Sequence, residues 1–92
     1  MAQQTIQANI DTIISTLEAA GIVVKLAGVA ASNVDVSAVQ THYNGKSNQK
    51  VNFYTLTKGA GTTLNAAYNS GDDIHLSVAG HNVCATEIQT IL

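Results

Sequence analysis

The stretch IVVKLAG, residues 22–28, decides the fold that this sequence predicts. It is a short, nearly continuous apolar run rich in β-branched residues, which is typical of a strand covered on both faces in a parallel sheet. Apolar residues at three- and four-residue steps from Ile6 to Leu17 precede it and predict an amphipathic helix that stops at Gly21. A helix, a glycine and an apolar strand in this order form the second half of a βαβ unit.

A second strand is predicted over Val51–Thr57, because this segment is rich in β-forming residues that partly alternate. Between the two strands, Asp35 or Ser37 is placed to cap a short helix that ends near Tyr43. The fold class expected from this order is α/β, with a short parallel sheet flanked by helices. The chain is expected to form a single small domain over residues 1–92.

The last third of the chain is predicted to be mainly helical. Leu64–Tyr68 is expected to form a short helix, and Ser77, a residue type that favours the N-cap, begins a longer final helix. The predicted buried side of that final helix comprises Val78, Val83 or Cys84, Ile88, Ile91 and Leu92.

Composition excludes several classes of function. Hydrophobic residues make up 46% of the 92 and charged residues 11%, a balance too apolar for a disordered segment. The formal net charge is −2 and the four basic residues are scattered, so the electrostatic footprint of a nucleic-acid-binding protein is missing. The sequence has no secretory leader and no apolar run of membrane-spanning length, so a cytoplasmic chain without membrane contact is expected.

Two parallel strands do not make a viable sheet, because parallel strands normally have neighbours and are covered on both faces. The strand predicted at residues 22–28 would therefore present an open apolar edge, and such an edge attracts pairing with another chain. The sequence thus predicts a homo-oligomer or a complementary chain, most simply a second copy.

A chemically suggestive motif lies before the final helix, in the stretch SGDDIHLSVAGH, residues 70–81. Asp72 and His75 stand three residues apart in a turn that contains Gly71. A carboxylate that fixes the tautomer of an imidazole makes it an effective general base for a serine hydroxyl. The alternative is structural: Asp72 and Asp73 form a turn with Gly71 and favour the N-terminus of the helix.

The block formed by Asp72, His75, Leu76 and Gly80 resembles the final block of the SGNH (GDSL-like) hydrolases, in which Asp-x-x-His is followed by Leu-x-x-x-Gly. The predicted order of helices and strands is also similar to the last part of that family's flavodoxin-like domain. The resemblance covers nearly all of this chain but only the C-terminal half of the family's domain. The family consists of esterases, lipases and carbohydrate acetyl-esterases. The resemblance implies that His75 is the general base of a catalytic half triad and that Asp72 is its orienting acid.

The Gly-Asp-Ser and Gly-x-Asn-Asp blocks, which carry the nucleophile and oxyanion hole of that family, do not occur in this sequence. Ser32 is the one serine at a predicted strand end, and nothing around it indicates a nucleophile elbow. The favoured expectation is a non-catalytic or vestigial hydrolase-like module that self-associates. The alternative is an ester hydrolase in which this chain supplies Asp72 and His75, while a partner supplies the serine and the oxyanion hole.

A metal site is a weaker alternative. His81 and Cys84 lie three residues apart on the predicted final helix and share a face, with His75 as a third potential ligand. The sequence has no paired-cysteine motif, and a single cysteine more often packs as a small apolar group. No metal and no cofactor are therefore predicted.

Overall fold

The computed structural model describes residues 3–92. In this range the chain forms four α-helices and one 3₁₀ turn, joined by extended and looped segments. The elements are α1 (Gln3–Ala19), α2 (Ser37–Asn44), α3 (Phe53–Thr57), the 3₁₀ turn (Ala66–Tyr68) and α4 (Val78–Gln89). None of these described helices has both the length and the apolar character that crossing a membrane requires.

The predicted α/β fold is wrong, because residues 3–92 contain only isolated β-bridges and no sheet. What remains of the predicted parallel pairing is a single bridge between Leu26 and Lys50, the residue just before the second predicted strand. There, the Leu26 N–H donates to the Gln49 carbonyl (3.0 Å) and the Val51 N–H donates to the Leu26 carbonyl (2.9 Å). The ladder goes no further in either direction.

The strand predicted over Val51–Thr57 does not form, because Asn52 caps a helix that takes up the rest of this segment. The Asn52 side-chain oxygen accepts the N–H of Thr55 at 2.9 Å, and α3 begins at Phe53. Asparagine is a strong N-cap because its oxygen satisfies one of the N–H groups that a first helical turn leaves unpaired. This local hydrogen bond overrides the β-propensity of the residues that follow.

Thr57, the most deeply buried residue of α3, also favours the helix over a strand in this segment. Its hydroxyl donates to the Phe53 carbonyl (2.6 Å) and accepts the N–H of Ala31 (2.9 Å), which ties α3 to the loop after residue 28. A buried hydroxyl that both donates and accepts carries no desolvation penalty for an unpaired polar group. The tertiary hydrogen bond therefore favours the helical placement of Thr57.

The predictions for the first and last helices, α1 and α4, are confirmed in part. α1 covers the predicted apolar stripe, and the chain leaves it through Gly21, whose φ of +80° places it in the left-handed region. Ser77 caps α4 as expected, with its hydroxyl oxygen accepting the Gly80 N–H at 3.2 Å. Two residues predicted on the buried side of α4 are exposed, Val78 by 78% and Leu92 by 85%.

The cap predicted for α2 is wrong, because Val36 occupies the N-cap and makes no side-chain capping bond. Asp35, one residue before the N-cap, accepts the N–H of Ser37, the first residue of α2, at 2.9 Å. The hydrogen bonds from Ser37 hold the pKa of the Asp35 carboxyl below its usual value.

The core is small and runs between the helices. α1 packs on α2, while α4 packs on the 3₁₀ turn and on α3. The buried apolar residues are Ile14, Leu26, Ala31, Val39, Val51, Tyr54 and Cys84. Large apolar side chains that stay exposed include Ile13, Ile22, Val23, Val34 and Ile74.

Candidate functional site

The Asp72–His75 motif lies in a loop that is closed at its base by backbone hydrogen bonds. The Ser70 N–H donates to the His75 carbonyl (3.0 Å), and the Ser77 N–H donates to the Tyr68 carbonyl (2.8 Å). Asn69 and Leu76 form an antiparallel bridge between these two contacts. The loop therefore starts from the 3₁₀ turn and returns directly to the first residue of α4.

Asn69 organises the first part of the loop. Its side-chain oxygen accepts the N–H groups of Gly71 (2.8 Å) and Asp73 (3.1 Å), and its amide donates to Asp73 Oδ1 (2.7 Å). This sharp turn requires positive φ at two residues, +122° at Gly71 and +63° at Asp73. Glycine and aspartate are residue types that tolerate such angles, so the sequence suits the turn.

Asp72 organises the second part. Its Oδ1 accepts the backbone N–H groups of Ile74 (2.9 Å) and His75 (2.8 Å), and it also accepts the Ser70 hydroxyl at 3.1 Å. Its other oxygen, Oδ2, accepts the Nδ1–H of His75 at 2.5 Å. One carboxylate thus holds both the backbone and the ring of His75, whereas the N-terminus of α4 is capped by Ser77 and not by Asp72 or Asp73.

The electrostatics favour an ionised carboxylate. The hydrogen bonds from the His75 ring and from the backbone N–H groups of His75 and Ile74 lower the pKa of Asp72 far below its ordinary value. The His75 side chain is 76% exposed, and in the described part of the chain its Nε2 has no hydrogen-bond partner. In the neutral ring, therefore, the Nδ1 proton faces Asp72 and the lone pair on Nε2 faces solvent.

Gly80 fixes this loop against α4. A Cβ atom at residue 80 would lie 2.9 Å from the Tyr68 carbonyl oxygen and 3.1 Å from two atoms of Leu76. Glycine at this position therefore allows the helix to approach the base of the loop closely. The Leu76 and Gly80 positions noted in the sequence meet in space for this packing reason.

A second Asp–His contact was not found by sequence reasoning. Asp11 on α1 accepts the Nε2–H of His42 on α2 at 2.7 Å, and it also pairs with the ammonium group of Lys46. Hydrogen bonds from Lys46 and then His42 lower the pKa of Asp11. These residues lie 31 or more positions apart from Asp11, so no local motif could have indicated the contact.

An open groove of about 560 Å³ lies along this second cluster. Lys46, the cation that lines this groove, already pairs with Asp11, and so does the His42 ring, so the groove presents no unpaired cation to a ligand. A smaller cleft of about 230 Å³ adjoins the Asp72 loop and is lined by Ser32, Asn33, Thr63, Leu64 and Asp73.

Two further potential metal ligands noted in the sequence are His81 and Cys84. Cys84 is buried, and burial raises the pKa of its thiol. His81 lies on the exposed surface of α4. Among residues 3–92, no three potential metal ligands come together in one group, so His75, His81 and Cys84 do not form a shared site.

The geometry of the loop thus defines an oriented, solvent-facing acid–base pair. Comparison of the chain with protein-family models, with curated proteins and with solved structures yields no match.

Proposed function

We propose that this chain supplies the acid–base half of an ester-hydrolase site of the serine type, as the resemblance of its Asp-x-x-His block to that of the SGNH hydrolases implies. In this function His75 is the general base and Asp72 orients it. The observation that supports the proposal is the contact from His75 Nδ1–H to Asp72 Oδ2, which directs Nε2 outwards. A serine hydroxyl placed against Nε2 could transfer its proton there as it attacks an ester carbonyl.

The nucleophile would come from a second polypeptide. The serines nearest to the pair in sequence already have structural roles, since Ser70 donates its hydroxyl proton to Asp72 and Ser77 caps α4. Ser32, beside the adjoining cleft, exchanges hydrogen bonds with the backbone of Val34. A partner carrying a serine and an oxyanion hole would complete the set of groups that acyl transfer needs.

Fragment complementation tests the proposal. The probe is the serine-bearing half of an active SGNH hydrolase, expressed without its own Asp-x-x-His block and mixed with this chain. We expect hydrolysis of p-nitrophenyl acetate to rise above the sum of the two separate rates, and His75→Ala to abolish that gain. His81→Ala is the matched control, because His81 is an exposed histidine outside the pair. A gain that survives His75→Ala would contradict the proposal.

A second candidate function is a non-catalytic, self-associating module. The supporting observation is the segment after Gly21, where Ile22 is 50% and Val23 is 83% exposed. Along 23–25, no backbone N–H has a backbone partner within residues 3–92. Backbone N–H groups without a backbone partner beside exposed apolar side chains are suited to pairing with a second chain.

Light scattering after size exclusion tests self-association. We expect a dimer at micromolar concentration and a monomer for Val23→Lys, because a lysine on this exposed apolar segment opposes its burial against a second chain. Val34→Lys is the matched control, since Val34 is 63% exposed in a different segment. A wild-type monomer would contradict this second candidate and leave the acid–base proposal open to its own test.

A further inference from the structure

The two histidine-containing pairs differ in what they leave accessible. His42 has its Nε2 bound to Asp11, and its side chain is only 21% exposed. His75 has its Nδ1 bound to Asp72, its side chain is 76% exposed, and Nε2 has no partner in residues 3–92. His75 therefore combines an oriented ring, a neighbouring carboxylate and an open nitrogen lone pair.

An oriented ring with a neighbouring carboxylate and an open lone pair suits His75 to act as a nucleophile as well as a base. Imidazole itself forms covalent acyl intermediates, and it does so through the nitrogen that carries the lone pair. A carboxylate on the opposite nitrogen stabilises the positive charge that the ring acquires on acylation, as it does when the ring is protonated. Ile74, the residue before His75, also has an exposed apolar side chain.

We propose that His75 is itself a nucleophile towards activated carboxylic esters such as aryl esters, and that the chain alone transfers their acyl group to water. This activity goes beyond the proposed function because it needs no serine and no partner.

The reaction balances in two steps. Nε2 attacks the carbonyl carbon, the new C–N bond forms, and the aryl oxide leaves with the electron pair of the broken C–O bond. The product is an acylimidazolium whose Nδ1–H remains bonded to the Asp72 carboxylate. Water then attacks the acyl carbon, the C–N electron pair returns to Nε2, and the water proton is taken up by solvent or by the aryl oxide. The net products are the carboxylic acid and the phenol.

The test is hydrolysis of p-nitrophenyl acetate by the full chain alone, compared across three variants. We expect His75→Ala to lower the protein-dependent second-order rate constant about tenfold, and Asp72→Asn to lower it by a similar order, the loss of a charge-assisted hydrogen bond being roughly a factor of ten. His81→Ala should leave the rate within about twofold, because His81 is exposed but has no carboxylate partner in the described residues. Circular dichroism and thermal unfolding of each variant establish that it folds.

A direct readout locates the intermediate. Intact-protein mass spectrometry within seconds of mixing with p-nitrophenyl acetate at neutral pH should find a short-lived acetyl adduct in the wild-type protein, less of it in Asp72→Asn and none in His75→Ala. The inference is overturned if His75→Ala keeps the wild-type rate, if His81→Ala costs as much as His75→Ala, or if the short-lived adduct persists in His75→Ala. Failure here leaves the complementation result unaffected, because that experiment measures the gain that a serine-bearing partner adds.

Discussion

The two Asp–His pairs of this molecule share a chemistry and differ in architecture. Asp11 and His42 join α1 to α2 across 31 residues, and the ammonium group of Lys46 pairs with the same carboxylate. Asp72 and His75 lie within one loop, three residues apart, and the carboxylate also holds backbone N–H groups. The first pair connects two helices, whereas the second orients a ring towards solvent.

This difference indicates which pair is suited to chemistry. The His42 ring, bound through Nε2 to Asp11 beside Lys46, is only 21% exposed, so little of it is open to a substrate. A ring held through Nδ1 in a closed loop keeps Nε2 available, and its orientation depends on local contacts. The long-range pair should therefore respond to changes in helix packing, and the local pair to changes in the loop and its anchor on α4.

Gly80→Ala should give the largest change and should affect the local pair alone. The added methyl group would meet the Tyr68 carbonyl oxygen at 2.9 Å, so we expect a loss of about 1–3 kcal/mol in the free energy of unfolding. Urea unfolding measures the loss. Histidine NMR signals should shift for His75 and stay in place for His42.

Gly61→Ala is the matched control for that experiment. No atom lies within 4 Å of a Cβ built at Gly61, and its φ is not in the left-handed region, so stability should change by no more than about 0.5 kcal/mol. Equal losses for the two variants would show that crowding at Gly80 is not the cause.

Ser77→Ala should cause the next largest loss of stability, at the helix that follows the Asp72–His75 loop. It removes the N-cap of α4 and the hydroxyl that donates to the Ala67 carbonyl, and losing an N-cap costs about 1 kcal/mol. Thermal unfolding measures the change. Ser47→Ala, at an exposed serine, should leave the melting temperature unaltered, and a similar decrease there would contradict the capping explanation.

We expect the two Asp–His pairs to differ in how much stability each loses in acid. Both Asp11 and Asp72 have folded-state pKa values below the ordinary 3.8, so each contributes stability that is complete above that pH and is lost as the pH falls towards the lower folded value. The pKa of Asp72 is lowered further, so Asp72→Asn should flatten the dependence of stability on pH below 4 more than Asp11→Asn does. Urea midpoints measured between neutral pH and pH 2 provide the comparison, and the reverse order would contradict it.

Lys46→Gln should have the smallest effect. The contact between Lys46 and Asp11 is part of a partly exposed network, and exposed ion pairs contribute little because water and salt screen them. We expect a slight decrease in melting temperature at low ionic strength that disappears in high salt. Lys58→Gln is the control, since Lys58 forms no ion pair within residues 3–92. A decrease that persists in high salt would contradict an electrostatic origin.

Much of the candidate site could be predicted from local sequence, whereas much of the fold could not. The contact between Asp72 and His75, the turn at Gly71 and the cap at Ser77 depend on residues within a few positions of one another. The prediction of a parallel sheet was wrong because it relied on the β-propensity of residues 51–57. That propensity does not show that the Asn52 side chain caps a helix there. The contact of Asp11 with His42 was missed because it depends on how α1 packs against α2.

The sequence by itself determined the two outer helices, the left-handed exit at Gly21 and the acid–base loop, because each follows from interactions between near neighbours. Only the tertiary structure decided that residues 22–28 meet residues 49–51 at a single bridge, and that Thr57 lies buried against Ala31. Those outcomes depend on burial and on hydrogen bonds between distant segments, and local propensities do not contain that information.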